Sequence, residues 1–175
     1  MSNRIIVCGG NGAGKSTLGK MLAEDLGWTF RDIEKYYFSV NNTDYNYLEA
    51  RTKEEVSKLL LTDMKEHENF ILASVKGEFG FEVSELFTCA IFIEVPKELR
   101  MERVRERSNQ KFGDRMLPGG DLYEKEEQFF EMVEKRPEDY TTKWLETVDM
   151  PIICVDGTKA IEDNVVKIKE ELRKL

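Results

Sequence analysis

Positive charge is in short supply: 26 lysines and arginines stand against 34 aspartates and glutamates, a formal net charge of −8. A nucleic-acid-binding face needs a basic surplus to displace counterions from phosphates, so that class of partner is excluded. No apolar run approaches the roughly 20 residues that cross a bilayer. No charged-then-apolar leader precedes the first predicted strand, so a cytoplasmic protein without a membrane partner is expected. Cysteine is scarce; Cys8, Cys89 and Cys154 are odd in number, far apart and mostly inside apolar stretches. That pattern gives neither a disulfide framework nor a metal-ligand spacing, and predicts small core residues in a reducing compartment. The single histidine, His67, falls near a predicted helix end, where positive charge suits the dipole, and no catalytic role is expected of it. Internal repeats, low-complexity tracts and linker-like stretches are also lacking. A chain of 175 residues is long enough for one well-packed domain and short for two, so a single domain spanning residues 1–175 is expected.

What the chain does have is glycine in one place. Gly9-Gly-Asn-Gly-Ala-Gly-Lys-Ser-Thr17 matches the G-x-x-x-x-G-K-[ST] phosphate-binding loop (Walker A) in full. Arg4–Cys8 before it reads as a short buried strand and Lys15–Leu26 after it as a helix, the context the motif requires. Its glycines admit positive φ and bring backbone N–H groups close to a ligand without an intervening Cβ. Together with the unpaired donors of a helix N-terminus, those N–H groups form a concave anion site. Gly9, Asn11, Gly12, Ala13, Gly14, Lys15, Ser16 and Thr17 are therefore the expected nucleotide contacts. Lys15 supplies a point charge for the terminal phosphates, and the Ser16 hydroxyl is a ligand for Mg²⁺.

Five apolar runs read as strands: Arg4–Cys8, Thr29–Asp32, Phe70–Val75, Cys89–Val95 and Pro151–Val155. Helical patterns separate most of them, and alternating β and α units predict an α/β fold with a parallel sheet covered by helices on both faces. Thr52-Lys-Glu-Glu55 is a capping box for a helix with Val56, Leu59, Leu60 and Met64 on its apolar side. Pro96 starts the helix after the fourth strand. A last helix begins near Ile161, with Ile161, Val165, Ile168 and Leu172 on one face. Two stretches fit the sheet pattern poorly: an aromatic- and Asn-rich segment of about 36–51 and a Gly/Pro-containing segment of about 108–120. They are expected to be an acceptor-side cover and a short lid, although ordinary surface loops share that composition.

Asp32 ends the second strand, at the carboxyl edge where open α/β sheets bind ligands. There a carboxylate binds Mg²⁺ or accepts a proton from an acceptor hydroxyl; the plainer role is a turn cap. Glu34, two positions on, shares either role. Arg100, Arg103 and Arg107 form a stripe on one helix face, and Arg115 follows in the glycine-containing segment. Guanidinium donors suit the charge that spreads over a transferring phosphoryl group, so Arg107 and Arg115 join Lys15 and Asp32 as catalytic candidates. Local pairing with Glu98, Glu102 and Glu106 is the competing account, and Arg100 is expected on the surface. Arg51 precedes the capped helix, and Lys76 and Gly77 follow the third strand; all three are candidates for the acceptor pocket with Asp32 and Glu34.

From Gly9 through Gly27 to Phe30-Arg31-Asp32, the chain resembles the opening of shikimate, gluconate and nucleoside-monophosphate kinases. Val95-Pro96-x-Glu98-Leu99 with Arg103 and Arg107 is similar to the adenylate kinase segment that leads into the lid. Val155-Asp156-Gly157-Thr158 with Lys159 resembles the strand-five loop that passes beside adenine in nucleotide kinases. The resemblance implies a three-layer sandwich with a five-stranded parallel sheet in the order 2-3-1-4-5. It further implies ATP and Mg²⁺ as cofactors, Arg103, Arg107, Asp156, Gly157 and Lys159 beside the nucleotide, and Arg115 as a lid arginine. The third strand departs from the pattern: Val75-Lys76-Gly77 stands where shikimate kinases carry a run of glycines. The acceptor, a metabolite alcohol, nucleoside or nucleotide, is therefore open.

An ATP-dependent phosphotransferase is the expected function. The alternative is a P-loop ATPase or nucleotide-binding regulatory protein without a small acceptor. A guanine-reading Asn-Lys-x-Asp motif is absent, and Ile91-Phe92-Ile93-Glu94 lacks the Asp-Glu ending of a motor ATPase strand.

Overall fold

The computed structural model describes residues 2–38 and 50–175. The chain alternates strand and helix: β1 (Asn3–Cys8), α1 (Lys15–Leu26), β2 (Thr29–Asp32), α2 (Glu34–Tyr37), α3 (Lys53–Glu66), β3 (Asn69–Ala73), α4 (Phe81–Ser84) and β4 (Cys89–Glu94). It continues through α5 (Lys97–Phe112), a 3-10 turn (Gly113–Met116), α6 (Tyr123–Lys135), α7 (Tyr140–Leu145), β5 (Ile152–Asp156) and α8 (Ile161–Leu172). The strands form one parallel sheet in the order β2-β3-β1-β4-β5, as expected. The order places β1 centrally, so the turn leaving it sits where neighbouring connections run to opposite sides, the crevice in which such sheets take ligands.

The two-residue period of the strands builds the three layers. Ile5 and Val7 point to one face, where they pack with Leu18 and Leu22 of α1 and Val165 and Ile168 of α8. Ile6 and Cys8 point to the other, against Val56, Leu60 and Met64 of α3 and Trp144 and Leu145 of α7. The expected capping box opens α3: Glu55 N–H donates to Thr52 Oγ1 at 3.3 Å and Thr52 N–H to Glu55 Oε2 at 2.8 Å.

Three expectations need correction. Leu59 is 43% exposed, because only the Val56–Leu60–Met64 side of α3 meets the sheet. Cys154 is exposed, since β5 is an edge strand on which buried and exposed residues alternate; Cys8 and Cys89 are buried as expected. Burial pushes the Cys8 thiol up to about 12 and the Cys89 thiol to about 11, far from a reactive thiolate. The 108–120 segment is not a loop throughout: α5 runs on to Phe112 and the 3-10 turn follows. Of the 36–51 segment, residues 39–49 lie outside the described residues. At its two ends, Phe38 and Ala50 form an antiparallel bridge. Among the described residues no helix is long and apolar enough to cross a membrane.

Candidate active site

The turn from β1 into α1 has the geometry its glycines require. Gly12 and Gly14 hold φ of 81° and 90°, and Gly14 caps α1 in the left-handed region. The first turn of α1 carries no acidic side chain, so the positive end of the helix is left to an anion. Lys15 Nζ lies across the loop and donates to the Gly10 carbonyl at 2.9 Å. Burial of that ammonium, opposed by the Asp32 carboxylate and reinforced by Arg107, pulls its pKa down to about 8.

Asp32 caps the turn after β2 and also meets the phosphate loop. Its Oδ1 accepts the Glu34 N–H at 3.0 Å, the turn-capping role, while its Oδ2 accepts the Ser16 hydroxyl. Ser16 and Asp32 thus bring two hard oxygen donors together at the start of α1, a donor set that fits Mg²⁺. Glu34 is exposed, starts α2 and acts electrostatically on Lys15 from the same side.

On the far side of the loop, β4 and β5 end together. Gly157 N–H donates to the Glu94 carbonyl at 2.8 Å, and Arg103 Nη2 donates to the Gly157 carbonyl at 3.1 Å. A Cβ on Gly157 would lie 2.4 Å from Val95 Cγ2 and 3.3 Å from the Ala13 carbonyl oxygen, so only glycine permits this approach to the loop. Asp156 folds its carboxylate back on Thr158, accepting the N–H at 2.9 Å and the hydroxyl at 2.6 Å. A pocket of about 280 Å³ opens here among Ala13, Thr17, Arg103, Gly157 and Lys159. Ala13, Gly14 and Thr17 of the phosphate loop form part of its lining.

The remaining expected residues lie elsewhere or are engaged differently. Arg115 pairs bidentately with Asp121 inside its own turn, at 3.0 and 2.7 Å. Arg51 donates to the Tyr36 carbonyl at 2.7 Å and so ties α3's approach to α2. Lys76 pairs with Glu78 at 2.7 Å and lies over the Tyr140 ring. Gly77 is packed beneath Trp144: a Cβ there would sit 2.6 Å from the indole. Arg107 is exposed on α5 and faces the loop from the lid side, near enough to act on Lys15.

Two arginines lie closer to the loop than the sequence pattern implies. Arg100 is half-buried: it lies against the phosphate loop, its Nε donating to the Val95 carbonyl at 3.1 Å. A Cβ on Gly10 would be 2.2 Å from Arg100 Nη1 and one on Gly12 2.2 Å from its carbonyl oxygen. Arg136, just after α6, reaches the loop tip, donating to Asn11 Oδ1 at 2.5 Å while its guanidinium lies over Tyr140. Its only sequence signal is an Arg-Pro pair closing an amphipathic helix, which does not distinguish it from a helix terminator.

Among the described residues one further group, Asp63, Glu66 and His67, has metal-like spacing. Its Asp63 already accepts the Arg31 Nε at 2.7 Å and the Tyr36 hydroxyl, which makes it a strut between α3 and β2.

A central strand, a glycine loop, a helix start and a carboxylate from the adjoining connection define a P-loop nucleotide-binding protein with the fold of the small-molecule kinases. The chain belongs to the AAA domain family, whose model matches residues 5–146. It is 27% identical over 180 aligned positions, 98% of each chain, to the uncharacterized protein YqaC of Bacillus subtilis (strain 168). The fold is shared with shikimate kinase from Bacteroides thetaiotaomicron, with a TM-score of 0.61, 19% identity and coverage of 99% of each chain. It is shared also with deoxyadenosine kinase from M. mycoides, with a TM-score of 0.54, 17% identity and coverage of 98% of this chain and 100% of that one.

Proposed function

We propose that the protein is an ATP- and Mg²⁺-dependent phosphotransferase acting on a hydroxyl of a small molecule, one domain over residues 1–175. The observation that carries this reading is the meeting of Lys15, Ser16 and Asp32 at one end of the phosphate loop, with Glu34 and Arg107 facing the same point. Lys15 and the loop N–H groups hold the β- and γ-phosphates, and Arg103, Gly157 and Lys159 flank the base. Ser16 and Asp32 would hold Mg²⁺, which neutralises phosphate charge when bound. Asp32 orients the acceptor hydroxyl and takes its proton, with Glu34 beside it. Arg107 meets the equatorial oxygens, where charge grows as the phosphoryl group moves. The Arg107–Arg115 segment closes over the phosphates and keeps water out; Arg115 exchanges Asp121 for them only on closure. Arg51, Lys76 and Gly77 border the acceptor side rather than touching the reacting atoms.

The AAA domain match favours a second reading, nucleotide hydrolysis without an acceptor. ADP release measured over sugars, hydroxy acids, nucleosides and nucleoside monophosphates separates the two. Stimulation by one acceptor class supports transfer; equal release under every condition supports hydrolysis alone. The protein is expected in the cytoplasm without a membrane partner, and the acidic charge balance disfavours a nucleic-acid partner.

A further inference from the structure

Asp32 ends a strand at the margin of the sheet. Among the described residues β2 pairs along one side only, with β3. The two-residue period sends neighbouring side chains of β2 to opposite layers. Phe30 packs on the α1 side, and Asp32, two residues on, meets Ser16 of α1. Arg31 lies between them and turns to the α3 side, where it pairs bidentately with Asp63. Its Nε donates to Oδ2 at 2.7 Å and its Nη2 to Oδ1 at 3.2 Å. Four residues beyond Asp32, the Tyr36 ring is buried on that same side, and its hydroxyl also donates to Asp63. One carboxylate of α3 therefore holds the chain just before Asp32 and again just after it. Arg51, which leads into α3, adds to the second hold: its Nη1 donates to the Tyr36 carbonyl at 2.7 Å and its N–H to the Tyr37 carbonyl at 2.8 Å. The helix that carries Asp63 is itself fixed. Val56, Leu60 and Met64 are fully buried against the sheet, and Arg4 Nε of β1 donates to the Met64 carbonyl at 2.9 Å.

From this double hold we infer that Asp63 is a positioning residue for the site: through Arg31 and Tyr36 it keeps the Asp32 carboxylate turned to Ser16 and to the Mg²⁺ the two would share. This rests on the role given to Asp32 above. Ser16 and Asp32 both offer oxygen lone pairs to a cation, so the hydrogen bond between them does not fix Asp32 once a cation is bound. The backbone around Asp32 has to be placed by other groups, and two of its side-chain anchors end on the one carboxylate. A bidentate guanidinium–carboxylate pair is directional as well as strong. This one is partly shielded, with side-chain exposures of 35% for Arg31 and 18% for Asp63, so water weakens it less than a surface pair. His67 Nδ1 stands 3.2 Å from Asp63 Oδ1, so three side chains surround that carboxylate. Groups that orient a metal ligand from behind are typically worth about 10–100-fold in metal affinity or activity.

The test titrates Mn²⁺, standing in for Mg²⁺ and read by electron paramagnetic resonance, into the full chain holding the non-hydrolysable β,γ-imido analogue of ATP. Asp63→Asn keeps the size of the side chain and removes its charge. It is expected to raise the Mn²⁺ dissociation constant about tenfold, while that of the analogue without metal stays within about twofold. Tyr36→Phe, which leaves the Arg31 pair in place, is expected to raise the Mn²⁺ constant about threefold. On an Asp32→Asn background Asp63→Asn is expected to add less than about twofold, because it acts through Asp32. A strut that serves stability alone would leave the Mn²⁺ constant unmoved, and that result in Asp63→Asn overturns the inference. A loss of about tenfold repeated in full on Asp32→Asn also overturns it, since Asp63 would then act by another route. ADP release that ignores every acceptor overturns the phosphotransfer reading instead, and the Mn²⁺ cycle still decides whether Asp63 places Asp32. Should Asp63→Asn fail to fold, the cycle of Tyr36→Phe with Asp32→Asn decides it, and an undiminished loss in the double variant overturns the inference.

Discussion

Around Lys15 most of the candidate groups come from one turn, Gly9–Thr17, and from the end of the adjacent β2 connection, with Arg107 added from α5. A cavity between α5 and α6 instead draws on side chains of three elements, α2, α5 and α6. The donor end is a backbone device: loop N–H groups, a helix terminus and one lysine, all fixed by φ values that glycine supplies. The cavity is a side-chain device whose shape depends on how α5 and α6 pack. A backbone device tolerates little variation and leaves a readable motif, whereas a side-chain device is free to change its ligand while the donor stays the same. The same contrast runs through the glycines. Gly12 and Gly14 serve the donor through conformation, and Gly77, expected at the acceptor, serves packing beneath Trp144.

Mutations sharpen that contrast, beginning with the donor. Lys15→Ala removes the charge that faces the terminal phosphates and is expected to lower kcat/KM for ATP by about 1,000-fold in a coupled ADP assay. Retained turnover would dissolve the distinction between the two regions. Asp32→Asn tests the carboxylate that meets the loop. It is expected to lower kcat about 100-fold while the ATP dissociation constant, read by calorimetry, stays within about threefold.

On the acceptor side, Gly77→Ala is a packing test. The added methyl meets Trp144 Cζ2 at 2.6 Å and Ile6 Cδ1 at 3.0 Å. Overpacking of that kind costs roughly 1–3 kcal/mol, to be read as a lowered urea midpoint with an unchanged slope. A raised acceptor KM at unchanged stability would return Gly77 to the pocket.

The smallest expected effect is in pH. Phosphates bind the charged form of Lys15, whose pKa burial lowers to about 8, so the competent fraction falls as pH rises through that value. ATP affinity is therefore expected to weaken about threefold between pH 7.5 and 8.5. Lys15→Arg, always charged, is expected to flatten the profile.

How far the sequence could be read follows the same division. The strands showed as apolar runs and the phosphate loop as a spaced motif, because both are local along the chain. The sheet order was reached through family resemblance, since periodicity does not say which strands are neighbours. Cys154 looked like a core residue because an edge strand and a central strand share a pattern, and only the sheet order separates them. Leu59 fell on the expected apolar side of α3, yet the contact with the sheet is narrower than the helix's apolar arc. The sequence alone suggests a surface position for Arg100 because the loop it packs against is remote in sequence. Arg136 carried too little local signal to be considered. Lys76 follows β3, but its partners Glu78 and Tyr140 come from a turn and a helix whose approach no spacing predicts.

The central claim is that the Lys15–Ser16–Asp32 end passes a phosphoryl group to an acceptor and not to water. With γ-labelled ATP and a stimulating acceptor, label can be counted in the acceptor and in inorganic phosphate as ADP accumulates. The account predicts one labelled acceptor per ADP with little free phosphate. Label that appears as inorganic phosphate in equal measure to ADP, whatever acceptor is present, would contradict it.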